Sequence, residues 1–312
     1  MIEIMKKAQR DESVARLDKA VPGCWINLIG PTEDEVRQVV AETGVQKQHI
    51  TAALDEDERP HFDKETKDTL IVFRVPVETP EESELRIRTM PIGIIITEDH
   101  FITVHLSSAK LFKDFFEGSI REFYTTKKTR FLIQILSRTN SYFLKYLNRI
   151  ENDIDRIEKG LMKSLKNEEV IKLFELQKAL IYFQTAILAN GNVLESILKG
   201  RVVEMYEEDE DLLETIINEN KQTLDMTVTY STILSNTLDA YASVVSNNLN
   251  VVMKLLTSLT IVLSIPAIVS SFYGMNIGLP LQADPIAFLY ILLVSFFISV
   301  SVALMFLKKG WL

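Results

Sequence analysis

The sequence predicts an α/β domain, a sheet covered by helices, followed by a long helical stalk and two transmembrane helices. Three observations carry this expectation. Clusters of β-branched and aromatic residues lie before about Tyr124, helical periodicity takes over from Thr129, and no charged residue stands between Lys254 and Asp284 or between Asp284 and Lys308. The organisation expected is a cytosolic α/β domain over 1–124, a stalk over 125–250, spans over 251–273 and 285–307 joined by a loop over 274–284, and a basic tail over 308–312.

In the first domain the stretches Cys24 to Ile29, Thr69 to Val75, Pro91 to Thr97 and Phe101 to Leu106 read as strands. Thr32 and Glu35 form a capping box ahead of Val36, Val39 and Val40, and Ser107 or Ser108 can cap the helix carrying Leu111, Phe112 and Phe115. Residues Met1 to Ala20 alternate charged and apolar side chains without an apolar run of signal-peptide length, so this domain is expected in the cytosol. The single cysteine, Cys24, excludes an intrachain disulfide, and a formal net charge of -9 offers no basis for a nucleic-acid partner. No nucleophile with a base and no metal-ligand cluster presents itself, so an enzyme is not expected, nor an organic cofactor.

Along the stalk, Ile133, Leu136, Leu144, Leu147, Ile150, Ile154 and Ile157 recur at three- and four-residue spacings. Gly160 and Asn167 mark a turn, a second helix runs from about Glu168 to Lys199 and stops at Gly200, and a third begins near Asp209. This third helix meets no proline until Pro266 and, uninterrupted to Phe272, is about 95 Å long at 1.5 Å per residue. Each uncharged run exceeds the roughly 20 residues needed to cross about 30 Å of hydrocarbon. Lys254 at the entrance of the first span and Lys308 with Lys309 after the second, with no Lys or Arg in the loop between, place both termini in the cytoplasm. The protein is then a multi-pass protein of the cell (inner or plasma) membrane, in contact with its lipid, and Trp311 suits an interfacial anchor.

The first span carries a stripe. Asp239, Ser243, Ser246, Asn250, Met253, Thr257, Thr260, Ser264, Ala267 and Ser271 share one helix face, and nearly all are small or polar. Two readings stand at this point. Small and hydroxyl-bearing residues let membrane helices pack closely, and they also line wet pores. The stripe continues into the soluble segment and includes Asp239 and Asn250, which close packing does not require. Two spans cannot enclose a channel, so the pore reading demands a homo-oligomer around an axis. Rings of Asn and Ser acceptors suit hydrated Mg²⁺, a ring of Asp239 carboxylates attracts divalent cations, and Met253 with Leu256 forms an apolar constriction at the cytosolic mouth.

The stripe ends at Tyr273-Gly274-Met275-Asn276, directly after the first of two C-terminal spans, with Ser246-Asn247, Asn250 and Met253-Lys254 behind it and Lys-Lys-Gly-Trp-Leu closing the second span. In these features the chain resembles the CorA family of magnesium transporters, closely from about Leu238 onward and in organisation only before that. The resemblance implies a homopentameric funnel with an αβα cytosolic sandwich, transporting Mg²⁺ with Co²⁺ and sometimes Ni²⁺ accepted. It implies that Gly274, Met275 and Asn276 form the outer selectivity ring, and that Asn250 and Asp239 form deeper rings. The alternative for Gly274 and Asn276 is a helix end, since both tolerate left-handed backbone, and the two roles are compatible. Two departures stand out. Where the family loop often reads Met-Pro-Glu-Leu, this chain has Leu279-Pro280-Leu281-Gln282, with Asp284 either replacing the glutamate or capping the next helix. Pro266 also comes one residue later than in many relatives, with Ser264 where some have methionine.

No phosphate-binding loop is present, and at about 2.3 kcal/mol per charge per 100 mV the membrane potential supplies roughly 4.6 kcal/mol for a divalent ion. Passive, gated conduction follows. Glu204, Glu207, Glu208, Asp209, Glu210, Asp211, Glu214 and Glu219 form an acidic run without Lys or Arg. It is either a solvated face or, as the resemblance suggests, a regulatory Mg²⁺ site in which Glu208, Asp211 and Glu214 face Asp55, Glu56, Asp57, Glu58 or Asp68 across an interface. The rival readings are a Zn²⁺, Co²⁺ or Ni²⁺ transporter of the same architecture, such as ZntB, and a membrane-anchored signalling scaffold. The first would favour nitrogen or sulfur ligands, yet His49, His61, His100 and His105 all precede the stalk, and His100 and His105 read as strand-end residues.

Overall fold

The computed structural model describes residues 1–9, 14–78, 87–116, 120, 122–161, 167–280 and 284–311, which form two compact units, Met1–Thr237 and Leu238–Leu312. The first unit is built on seven strands: β1 (Ile2–Lys6), β2 (Ala15–Leu17), β3 (Trp25–Ile29), β4 (His61–Lys64), β5 (Asp68–Glu78), β6 (Ile87–Thr97) and β7 (Phe101–His105). They lie in the order β2-β1-β3-β7-β6-β5-β4, antiparallel throughout except for the parallel pair β3 and β7. Four of them are the strands expected from the sequence. The unexpected β1, β2 and β4 lie at and near the sheet edges, where charged and exposed positions break the apolar run.

Helices cover both faces, which makes the αβα sandwich. Because side chains alternate along a strand, Leu70 and Val72 of β5 point to one face and Ile71, Phe73 and Val75 to the other. On the first face lie α1 (Glu33–Thr43) and α2 (Lys47–Ala52), which bury Val36, Val39 and Ile50 against Ile26, Leu28, Ile95, Ile102 and Val104. The capping box of Thr32 and Glu35 opens α1 as expected, and Gly44, at φ +71°, ends it in the left-handed conformation. Ala53, which ends α2, sits so close to the sheet that a Cβ on Gly93 of β6 would lie 2.5 Å from its Cβ.

On the second face lie α3 (Lys110–Phe116), α4 (Lys128–Leu161), α5 (Asn167–Leu198) and the start of α6 (Glu207–Tyr273). Phe131 of α4 stands among the rings of Trp25, Phe101, Phe115 and Phe123 at centroid distances of 5.0, 4.6, 5.2 and 5.5 Å. All the periodic residues of α4 are buried except Leu144, which is half-buried. Ser107 does not cap α3, because its hydroxyl meets the Met90 sulfur at 3.3 Å. Strand β4 stops pairing at His61 opposite Val72, so β5 beyond that point has an open side. There Asn190 of α5 takes the place of a neighbouring strand, accepting the Arg74 N–H at 3.0 Å and donating to the Arg74 carbonyl at 2.8 Å.

The second unit holds the end of α6, which is a single helix through Pro266, and α7 (Ala287–Lys308). Both are long and apolar enough to cross a membrane, and only 6% and 11% of their most apolar windows are buried in this chain. That exposure separates them from the core helices of a soluble protein.

Candidate functional site

On α7 the covered residues are Ala287, Ser295, Ser299 and Phe306, with Ile291, Val302 and Ala303 half-covered, which trace one face. On α6 the covered face within this unit runs through Ser258, fully buried, and Val262, Ile265 and Val269, half-buried. At 3.6 residues per turn this face lies about 140° around the helix from the stripe of Thr257, Thr260, Ser264, Ala267 and Ser271. The stripe therefore lies on a different face of α6 from its covered residues. Asp239, Ser243, Ser246, Asn250, Met253, Leu256, Thr257, Thr260, Ala267 and Ser271 are all exposed, and Ser264 is half-buried.

Four of the stripe hydroxyls have their protons placed. Thr260 donates to the Leu256 carbonyl at 2.8 Å, Ser264 to Thr260 at 2.7 Å, Ser271 to Ala267 at 2.8 Å and Ser243 to Asp239 at 3.0 Å. Such bonds satisfy the donor in an apolar medium and leave oxygen lone pairs pointing off the helix, where they can accept hydrogen bonds from water. Pro266 brings no N–H for the carbonyl four residues earlier. At the C-terminal end of the same face Ser264, Ala267, Ile268, Ser271, Phe272 and Met275 line a shallow groove.

The helix closes with the Gly274 N–H on the Ser270 carbonyl at 2.9 Å and the Met275 N–H on Phe272 at 3.2 Å. Gly274 is not among the glycines with positive φ, so the left-handed cap does not explain it. Gly274, Met275 and Asn276 are all exposed. Asp284 accepts the Ile286 N–H at 2.8 Å in a turn just before α7, whose N-cap, Ile286, has no side-chain cap bond, while Leu281 and Gln282 lie outside the described residues.

The acidic run opens α6, where the positive end of the helix dipole favours carboxylates. Asp209 is buried and bonded to Arg130 at 2.7 Å, whereas Glu208, Asp211 and Glu214 are exposed. Asp68 does not suit an interface role. Its side chain is 1% exposed, and its Oδ2 accepts the Gln46 N–H at 3.0 Å and lies 3.2 Å from His49 Nδ1. Asp55, Glu56 and Asp57 are exposed and Glu58 half-buried.

Of the histidines, His105 ends β7 with Nδ1 donating to the Ser107 carbonyl at 2.6 Å and Nε2 2.9 Å from Asn27 Oδ1, and burial pushes it down to about 4. His49 instead meets carboxylates, with ligand atoms of His49, Asp63 and Glu65 all within 4.8 Å of one another. No spacing in the sequence signals that grouping, which depends on α2 crossing the β4–β5 hairpin.

The family model for "CorA-like Mg2+ transporter protein" matches residues 23–309. The chain is 25% identical over 298 residues to the cobalt/magnesium transport protein CorA of Methanocaldococcus jannaschii, covering 92% of this chain and 91% of the relative. It is 24% identical over 311 residues to the protein of the same name from Thermotoga maritima, covering 96% and 87%. The solved complete structure of the CorA magnesium transporter from Methanocaldococcus jannaschii superposes with a TM-score of 0.86 at 23% identity, covering 100% of this chain and 99% of that one.

Proposed function

The chain belongs to the family of CorA-like Mg²⁺ transporter proteins, and from that premise we propose that it conducts Mg²⁺, with Co²⁺ and Ni²⁺ also accepted, across the cell membrane. The path is the polar face of α6, assembled from several copies around an axis, a homopentamer as the family resemblance implies. One observation carries this reading: the small and polar face of α6 is turned about 140° away from the covered face of the same helix and so is open to water and to other copies.

Mg²⁺ sheds water reluctantly, and the waters of its inner shell are strong hydrogen-bond donors. Acceptors are therefore what a conducting face needs. The Asn276 amide oxygens meet the water shell of the entering ion beside Gly274 and Met275, and the lone pairs of Ser271, Ser264, Thr260 and Thr257 continue the acceptor rows. Asn250, Ser246, Ser243 and Asp239 continue them inward, and Met253 with Leu256 close the path by dewetting. The membrane potential drives entry, and both termini face the cytoplasm. Glu208, Asp211 and Glu214 bind cytosolic Mg²⁺ against the exposed Asp55, Glu56 or Asp57 of another copy, which offsets their repulsion and holds the pore shut. A face without His or Cys does not favour Zn²⁺ as cargo.

The test is uptake into liposomes under an imposed potential, without nucleotide, for the wild type and Asn276→Ala. Potential-driven Mg²⁺ entry that falls on substitution is expected. A wild type that admits no Mg²⁺ under those conditions, or a variant that matches it, would reject the proposal.

A further inference from the structure

A buried histidine and three carboxylates converge on the α2 side of the sheet. Asp63 and Glu65 are two residues apart at the end of β4 and share a face. The register Asp63 opposite Leu70 puts Asp68 of β5 on that face too, because Leu70 and Asp68 are also two residues apart. The hairpin is tied by the Glu65 N–H on the Asp68 carbonyl at 3.0 Å. From above, α2 delivers His49, whose side chain is 5% exposed, with Nε2 3.4 Å from Asp63 Oδ2 and Nδ1 3.2 Å from Asp68 Oδ2.

Two buried atoms there lack partners. His49 Nδ1 and Asp68 Oδ1 make no hydrogen bond, although both side chains are more than nine-tenths buried. The hydrogen bond that His49 does make, Nε2 with Asp63 Oδ2 at 3.4 Å, stands at the long limit for such a bond, so the ring lies among acceptors held by one stretched contact. The spacing also fits a metal: two ligand atoms about 2.1 Å from one ion at the tetrahedral angle are about 3.4 Å apart. That is the observed separation of Nε2 from Asp63 Oδ2.

We propose that His49, Asp63 and Glu65 form a binding site for a borderline divalent cation, Co²⁺, Ni²⁺ or Zn²⁺, with Asp68 as the positioning residue behind His49. Imidazole nitrogen selects these ions over Mg²⁺, which prefers oxygen alone. With an ion on Nε2 the ring proton sits on Nδ1, where Asp68 Oδ2, 3.2 Å away, is placed to accept it. A cation there replaces the long Nε2 to Asp63 hydrogen bond with two coordinate bonds. Asp63 is 55% exposed, so the ion has a route in from solvent. The site lies in Met1–Thr237 and does not depend on the proposed ion path.

The experiment titrates the full chain in detergent with Co²⁺ in excess Mg²⁺, reading the d–d absorption bands and the dissociation constant. Wild type and Asn276→Ala are expected to develop the same nitrogen-dependent bands, and His49→Gln to lose them. Asp63→Asn and Glu65→Gln alter side chains on the solvent side and keep the fold, and each weakens Co²⁺ at least about tenfold, with Asp68→Asn weakening it about 10- to 100-fold. Asp68→Asn should also shift the band positions, which a purely structural role would leave alone. Wild-type affinity in both Asp63→Asn and Glu65→Gln, displacement of Co²⁺ by Mg²⁺, or loss of the bands in Asn276→Ala would each overturn the assignment.

Discussion

Replacing Asn190 by Leu probes the point where a helix side chain stands in for a missing strand. Asn190 is 3% exposed, and its amide holds both backbone groups of Arg74, at 3.0 and 2.8 Å, on the stretch of β5 that β4 no longer covers. Leu is close in volume, so the cavity contribution is small and the hydrogen bonds are isolated. Two net bonds contribute about 1–3 kcal/mol, and leaving the Arg74 N–H and carbonyl unsatisfied beside an apolar group adds to that, so a loss of about 2–4 kcal/mol is expected. Trp25, fully buried in this unit, is the natural reporter, and Trp311→Phe silences the other tryptophan. Guanidinium unfolding of the full chain in detergent, followed by Trp25 fluorescence, should show an earlier midpoint with little change in slope. A loss below about 0.5 kcal/mol would refute the reasoning, because it would mean that other partners replace the amide at no cost.

Three further outcomes follow from the same geometry. Thr260→Val keeps the shape and removes the acceptor, and should lower liposomal Mg²⁺ uptake about fivefold, near 1 kcal/mol, while Ser295→Ala on the covered face of α7 leaves it unchanged; equal effects would remove the distinction between the two faces. Phe131→Ala takes the central ring from the aromatic cluster and should cost about 3–5 kcal/mol by the same fluorescence assay, a smaller loss showing that the cluster closes over the gap. Glu78 is held below its ordinary 4.5 by the hydrogen bond from Lys110 and then by the charges of Lys110, Arg149 and Lys145. Its contribution is complete above 4.5 and is lost as pH falls through the lowered value, so acid should destabilise the wild type more than Glu78→Gln, and parallel acid profiles would contradict this.

Different physical signals account for what could be read in advance. The central strands were legible because both their faces are buried, which leaves runs such as Leu70 to Phe73 and Ile92 to Ile96 without a charge. The capping box of Thr32 and the stop at Gly200 are local chemistry and were equally plain. Strands β2 and β4 escaped because edge positions tolerate charge, as in His61-Phe62-Asp63-Lys64, and β1, next to the edge, because Glu3 and Lys6 interrupt its apolar residues. The polar stripe was visible from helical periodicity. Its separation from the covered face of α6 was not, because Ser258 and Thr257 are chemically alike and differ only in which way they face.

By itself the sequence determined what depends on neighbours along the chain: the uncharged spans, the long α6, and the Gly-Met-Asn ending that marks the family. Tertiary structure alone decided which surfaces were left over. It buried Asp68 beside His49, engaged Asp209 with Arg130, and covered Ser258 while leaving Thr260 exposed. The physical reason is that burial and electrostatic pairing depend on distance in space, and residues such as His49 and Asp63 approach to 3.4 Å only after the sheet register has formed.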